Sequence, residues 1–163
     1  MIFLTETWLT SEKYDITAEV KDYGYVLLHK NTKNREKDRV GGVGTLLKGS
    51  IVGKQLVSKD FHSFEHNVVK IPLESKQMMI LIPVHRLQFV PVGEFLEEFE
   101  DRLEKFAVFT EDFIIAGDVN IHTKTDTGMA RKFDDLLDMF DLKQNGTNAH
   151  QGSFQIDTEE STF

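Results

Sequence analysis

Ile114-Ile115-Ala116-Gly117-Asp118-Val119-Asn120-Ile121-His122 is an apolar run that ends abruptly in acid, amide and imidazole. A continuous apolar stretch such as residues 113–116, bounded by turn-forming residues, reads as a strand buried on both faces. Functional side chains collect where such strands give way to loops. Asp118 and Asn120 are two residues apart. If the extended backbone runs on through them, they share a face at roughly 6.6 Å, and a carboxylate and a carboxamide address one ligand. Gly117 lets a backbone or a phosphate come close. The same Gly-Asp-Val-Asn also suits a simple turn after a strand, because Gly, Asp and Asn all favour turns.

On either side of this stretch the periodicities alternate between two and three-to-four. Upstream, Val92, Phe95, Leu96, Phe99, Leu103 and Phe106 keep helical spacing, with Glu97, Glu98, Glu100, Asp101, Arg102 and Lys105 mostly on the other side and Pro91 placed as a first helical residue. Downstream, residues 123–127 form a polar loop with helix-cap chemistry. Met129, Phe133, Leu136, Leu137 and Phe140 then mark a second amphipathic helix. Strand, loop and helix in succession are what a layered α/β domain requires. Earlier in the chain, residues 2–5, 25–28, 41–47, 52–59, 68–73 and 78–84 read as strands, the last three as a meander. Residues 10–13 suit a brief helical turn, and residues 154–157 one late strand.

The composition narrows the class. With 163 residues, 40% hydrophobic and 28% charged, the chain is long enough to bury one core and is not of disordered type. No cysteine is present, which excludes a disulfide framework and thiolate metal sites. The apolar runs are too short to cross a bilayer and the start has no secretory pattern, so a cytoplasmic or nuclear destination is the expectation. A formal net charge of -8 is the wrong sign for binding nucleic acid by bulk electrostatics. A polyanion partner would need a bound cation or a local basic patch, for which residues 30–39, with five cations and two acids, are the candidate. Gly41-Gly42-Val43-Gly44 lacks the Lys-Ser/Thr ending of a phosphate loop, and its glycines lead into a strand. His62 and His66 have the spacing of paired ligands on a helix, but the residues between them offer no helical period.

Two carboxylates stand at strand ends, Glu6 after the first strand and Asp118 after the central one. If both strands finish at one rim, Glu6, Asp118 and Asn120 supply oxygen ligands and an amide donor suited to Mg²⁺ or Mn²⁺ and a phosphate. The ordered blocks Phe-Leu-Thr-Glu-Thr-Trp-Leu, Gly-Tyr-Val-Leu-Leu-His-Lys, Gly-Gly-Val-Gly-Thr-Leu-Leu, Phe-Leu-Glu-Glu-Phe-Glu-Asp, Ile-Ile-Ala-Gly-Asp-Val-Asn-Ile-His and Phe-Asp-Asp-Leu-Leu extend from Phe3 to about Gln144. Together they resemble the endonuclease/exonuclease/phosphatase superfamily, and within it the apurinic-type endonuclease domains of non-LTR retrotransposons.

The resemblance implies an α/β (α+β) fold, a four-layer sandwich of two mixed β-sheets flanked by helices, with residues 1–163 as a single domain. It also implies Mg²⁺-dependent (or Mn²⁺-dependent) hydrolysis of DNA phosphodiesters, with DNA as partner and no membrane. By position, Glu6 would be the metal ligand, Asp118 would activate the attacking water, and Asn120 would hold a non-bridging phosphate oxygen. His122 belongs to the retroelement version of the motif. The family's Tyr-Arg-Pro-Pro reads here His85-Arg86-Leu87-Gln88, which makes His85 the phosphate donor in place of tyrosine and Arg86 a substrate contact. The family's opening strand with an Asn, and its closing strand with Asp-His, have no counterpart, so the sandwich is expected to be incomplete. Asp157, in Ile156-Asp157, is the expected remnant of the aspartate that orients that histidine. Weak or absent turnover is accordingly expected. An inactive retroelement remnant or interaction module, and a phosphatase of small phosphate esters on the same fold, are the alternatives.

Overall fold

In a computed structural model the chain is described over residues 1–7, 9, 16–30, 41–75, 77–121, 127–144 and 153–158. In chain order the elements are β1 (Ile2–Leu4), α1 (Ile16–Asp22), β2 (Tyr25–Lys30), β3 (Val43–Lys48), β4 (Lys54–Gln55), β5 (Phe64–His66), β6 (Val69–Pro72), β7 (Met78–Arg86), α2 (Val92–Phe106), β8 (Asp112–Asp118), α3 (Thr127–Met139), β9 (Leu142–Gln144) and β10 (Ser153–Thr158). The expected strands at 25–28, 41–47, 68–73 and 78–84 are present with shifted ends. The one expected at 52–59 shrinks to β4, because Val52 and Val57 find nothing to pack on and stay exposed. The brief turn expected at 10–13 falls outside the described residues, as do the basic segment at 31–39 and His122.

Two sheets form. The smaller has the order β1-β3-β2 and is antiparallel throughout. The larger has the order β4-β6-β7-β8-β10-β9, with β5 also pairing β7. It is mixed, because β7 and β8 run parallel, joined through α2 as a strand-helix-strand unit requires, while the other pairs are antiparallel. β5 and β6 both line β7 and are interrupted opposite Pro83, which has no N–H to offer a ladder. Asn67, fully buried at the interruption, closes it: its amide donates to the Pro83 carbonyl, its side chain accepts from Val68 N, and its Nδ2 reaches the Leu28 carbonyl in the smaller sheet.

The period of two in β7 and β8 assigns the layers. Ile80, Ile82, Val84 and Ile115 join Phe95, Leu96, Phe99, Leu103, Phe106, Phe133 and Leu137 in the core under α2 and α3. Met79, Leu81 and Ile114 point the other way, into a second core with Leu47, Val69 and Ile71, with Phe3 and Leu28 of the smaller sheet packed against it. Both faces of β7 are therefore buried, which is why its sequence reads as an unbroken apolar run. Helices α2 and α3 cover the outer face of the larger sheet, whereas α1 contacts β2 and contributes no buried residue. The α/β sandwich expected from the sequence is thus present, with its smaller sheet wholly antiparallel. Among the described residues no helix is long and apolar enough to cross a membrane.

Candidate functional site

Because β7 and β8 are parallel, their C-terminal ends share one rim, and in register His85 lies beside Asp118. Parity puts His85 on the inter-sheet side with Met79 and Leu81, and Asp118 on that side with Ile114. The smaller sheet delivers Glu6 to the same place, just past β1, which is in contact with β8. His85 Nε2 lies 3.4 Å from Glu6 Oε1, with the imidazole 2% and the carboxylate 47% exposed. Glu6, His85 and Asp118, assigned from sequence alone, are therefore brought together.

Beyond Asp118 the extended conformation stops. Asn120 has φ 49°, in the left-handed region, and its backbone N–H donates to Asp118 Oδ1 at 2.9 Å. This is an Asx-type turn, so the expected picture of two side chains on one face of a continuing strand is replaced by a carboxylate that folds its own loop back. Asn120 Nδ2 is left buried without a hydrogen-bond partner. Glu6 is likewise left-handed, at φ 52°. Apart from glycine, only one other described residue, Asp141, has a positive φ, so strain of about 1–3 kcal/mol per residue gathers at this rim.

Arg86 takes a different part from the substrate contact expected of it. It sits on the helix side of β7, 5% exposed. Its Nε donates to the Val119 carbonyl at 2.6 Å, Nη1 to Val90 at 2.7 Å and to Leu87 at 3.5 Å, and Nη2 to Asn120 at 2.9 Å. Burial lowers its pKa and the Asp118 carboxylate raises it, in that order of size. The guanidinium is thus occupied in holding the Val119-Asn120 turn from beneath.

One member of the cluster was not anticipated. Glu65 in β5 pairs with His85 across the ladder, and its Oε2 lies 3.7 Å from His85 Nδ1 and accepts from Gly42 N at 2.6 Å. The signal available in sequence was parity: Phe64 and His66 face one way into aromatic packing, so the glutamate between them must face the other. Gly41 (φ 103°) and Gly42 (φ 93°) then have a physical role that owes nothing to phosphate loops. A Cβ at Gly41 would lie 2.1 Å from Glu65 Oε2, and one at Gly42 would lie 2.3 Å from Thr7 Oγ1. Glu98 of α2 secures the approach to β5, accepting from His62 N, Ser63 N and the Ser63 hydroxyl. Burial alone would raise that carboxyl, but the bonds from Ser63 and His62 outweigh it and hold it below the usual range.

His62 and His66 do not form a ligand pair. His66 is buried against Phe61 and Phe64, and desolvation, aided by Arg102 and Lys30, pushes its pKa down to about 3. His62 is exposed and lies 3.7 Å from Glu94. Asp157 is not at the rim: in β10 its partners are Ile114 and Lys143, whereas Ser153 is the residue opposite Asp118.

Among the described residues no three His, Cys, Asp or Glu side chains form a metal-binding group. A hard cation such as Mg²⁺ does not need one, since one or two carboxylates with water and phosphate are its ordinary shell. The half-exposed Glu6 carboxylate, with partnerless buried polar atoms on His85 and on the neighbouring Thr7, fits such a shell.

No protein-family model and no characterised sequence matches the chain. Solved structures do. The endonuclease domain of TRAS1, a telomere-specific non-LTR retrotransposon, superposes with a TM-score of 0.62 at 15% identity, covering 89% of this chain and 76% of that one. Endonuclease/exonuclease/phosphatase family proteins from Bacteroides thetaiotaomicron (TM-score 0.55, 9% identity) and Leptotrichia buccalis (0.54, 12%) are matched over 87% and 88% of this chain. The matched part spans 63% of each of those two proteins. The strand order, the parallel β7–β8 pair and these superpositions agree that the chain has the α/β sandwich fold of the endonuclease/exonuclease/phosphatase proteins.

Proposed function

We propose that the chain is a metal-dependent phosphodiesterase module of the endonuclease type, acting on the DNA backbone. The observation that carries this reading is the convergence of Glu6, His85 and the Asp118-Asn120 turn at the rim where the parallel strands end. The likeness in fold to a retrotransposon endonuclease domain supports it. Glu6 would hold Mg²⁺ or Mn²⁺, which supplies charge neutralisation at the phosphate when bound. Asp118, already an acceptor for Asn120 N through one oxygen, has the other available to orient a water and take its proton. Asn120 Nδ2, buried and without a partner, is the donor for a non-bridging phosphate oxygen. Water would bond to phosphorus as one ester P–O bond breaks, its proton passing to Asp118, and the departing alkoxide would take a proton from solvent water. A net charge of -8 repels DNA, so a bound cation also supports association with the backbone.

Nicking of supercoiled plasmid in Mg²⁺ tests the reading. Wild type is expected to convert the plasmid slowly, and Asp118→Ala to lower the rate by about 10²–10⁴-fold, the usual loss for a positioned acid/base group. Equal nicking by the two proteins, or nicking that survives EDTA, would remove this rim from consideration.

A further inference from the structure

The conformation of Glu6 is not one that β1 would give it. The register of β1 and β3 runs Ile2 with Leu46, Phe3 with Thr45 and Leu4 with Gly44, so a ladder continued outward would set Glu6 opposite Gly42. Instead the Thr7 N–H donates to the Gly42 carbonyl at 3.1 Å. The pairing has slipped by one residue, and Glu6, with φ 52°, lies in the stretch that absorbs the slip. An extra residue of this kind re-aims a side chain, as a β-bulge does, and here the Glu6 carboxylate comes to lie 3.4 Å from His85. A left-handed residue other than glycine persists only when its surroundings hold it there. Gly42 provides that hold on the Thr7 side, and it is itself held from the other sheet. Its N–H donates to Glu65 Oε2 at 2.6 Å, a short charge-assisted bond, and Glu65 belongs to β5 of the larger sheet. The two bonds fix the peptide planes on both sides of the buried Gly42 Cα. A Cβ at Gly42 would strike Thr7 Oγ1 and one at Gly41 would strike the Glu65 carboxylate, so both ends of the link require glycine.

We infer that Glu65 is a positioning residue for Glu6, acting from one sheet to the other through Gly42 and the Thr7 N–H. The inference rests on the reading that Glu6 holds Mg²⁺ or Mn²⁺, and deepens it by naming what keeps that ligand in place. Glu65 acts here through the backbone, so what the role needs is an acceptor oxygen at the place of Oε2 and not a charge. Without that acceptor a buried N–H is left unpaired, the glycine link is free to turn, and Glu6 relaxes out of the left-handed region. The property that suffers is affinity for the cation, beyond whatever stability is lost.

The test uses the whole chain and Mn²⁺ alone, with affinity measured by electron paramagnetic resonance and the urea midpoint taken without metal. Glu65→Ala is expected to weaken Mn²⁺ binding by about 10–100-fold, the usual cost of losing a group that orients a ligand. Glu65→Gln keeps an acceptor oxygen for Gly42 N and should recover most of that loss. Gly42→Ala disturbs the same link from the Thr7 side with Glu65 intact, and a comparable weakening is expected. It decides the matter if Glu65→Ala fails to fold. Leu137→Ala, a change in the core under α3, measures the effect of destabilisation alone and should keep wild-type affinity. Unchanged Mn²⁺ affinity in folded Glu65→Ala or Gly42→Ala, equal losses in Glu65→Ala and Glu65→Gln, or the same loss in Leu137→Ala would overturn the inference and leave the reading of Glu6 standing. Mn²⁺ affinity that survives Glu6→Ala would remove that reading, and the inference with it.

Discussion

Arg86 shows how one buried residue can hold the loop that ends a strand. Its side chain reaches four carbonyls, three of them at 2.6–2.9 Å, and two belong to the turn that carries Asn120. Charge-assisted bonds of this kind contribute about 1.5–3 kcal/mol each, and leaving the carbonyls buried and unpaired adds to the loss. Arg86→Met is therefore expected to destabilise the chain by about 3 kcal/mol or more in urea denaturation. Arg86→Lys should recover less than half, because one ammonium cannot serve a planar set of acceptors. Plasmid nicking should fall in both, even at temperatures where both are folded, since Asn120 Nδ2 loses its support. A lysine variant with wild-type stability and rate would show that the guanidinium is dispensable. The sequence displayed Arg86 and Asn120 within stretches that resemble the family's motifs. It did not display that the arginine points to the helix side of β7 and the histidine before it to the other, a consequence of parity that becomes visible only once the strand is known to run to its last residue. Glu65 was hidden for the same reason: three residues are too few to announce a strand.

At the scale of elements, legibility followed length and burial. β7 and α2 were plain because the seven-residue apolar run from Met78 to Val84 and a three-and-four spacing over four turns have few other readings. β4, β5 and β9 have two or three residues each, and only their partners make them strands. The aromatic stripe of α2 is core. Phe99 has no exposure, stacks on Phe95 at 5.1 Å and on Phe133 at 6.1 Å, and meets Phe64 edge-on at 5.9 Å. One ring thus ties α2 to α3 and to the strand that carries Glu65. Phe99→Ala should cost about 3–5 kcal/mol of stability, the range for removing a buried aromatic side chain. Phe99→Leu should cost clearly less, because it fills most of the volume. Equal urea midpoints for the alanine variant and wild type would mean that the stack is not part of the cooperative core.

For the whole molecule, a buried histidine outside the site is expected to shape the acid side of the stability curve. His66 packs against both Phe61 and Phe64 with 1% exposure, and its pKa is pushed down to about 3, chiefly by burial, then by the positive charges of Arg102 and Lys30, with Asp60 acting the other way. In the unfolded chain it titrates near 6.5. Between those two values the unfolded chain binds a proton that the folded chain refuses, so unfolding gains protons and stability rises with pH. Above pH 6.5 the penalty is absent, and it grows as pH falls toward 3. Its size follows from linkage at about 1.4 kcal/mol per pH unit, or about 2 kcal/mol lost between pH 7 and pH 5 and about 3 kcal/mol by pH 4. Carboxylates add a further loss at lower pH, since Glu98 is held below its usual range and its bonds to Ser63 and His62 fail once it is protonated. The two contributions separate by substitution. His66→Gln should start less stable at pH 7, having lost aromatic packing, but its urea midpoint should stay nearly flat from pH 7 to pH 5 where wild type declines. Parallel decline in the two proteins would place the proton uptake elsewhere, and an unchanged wild-type midpoint over that interval would show that the imidazole is charged, or exposed, in the folded chain.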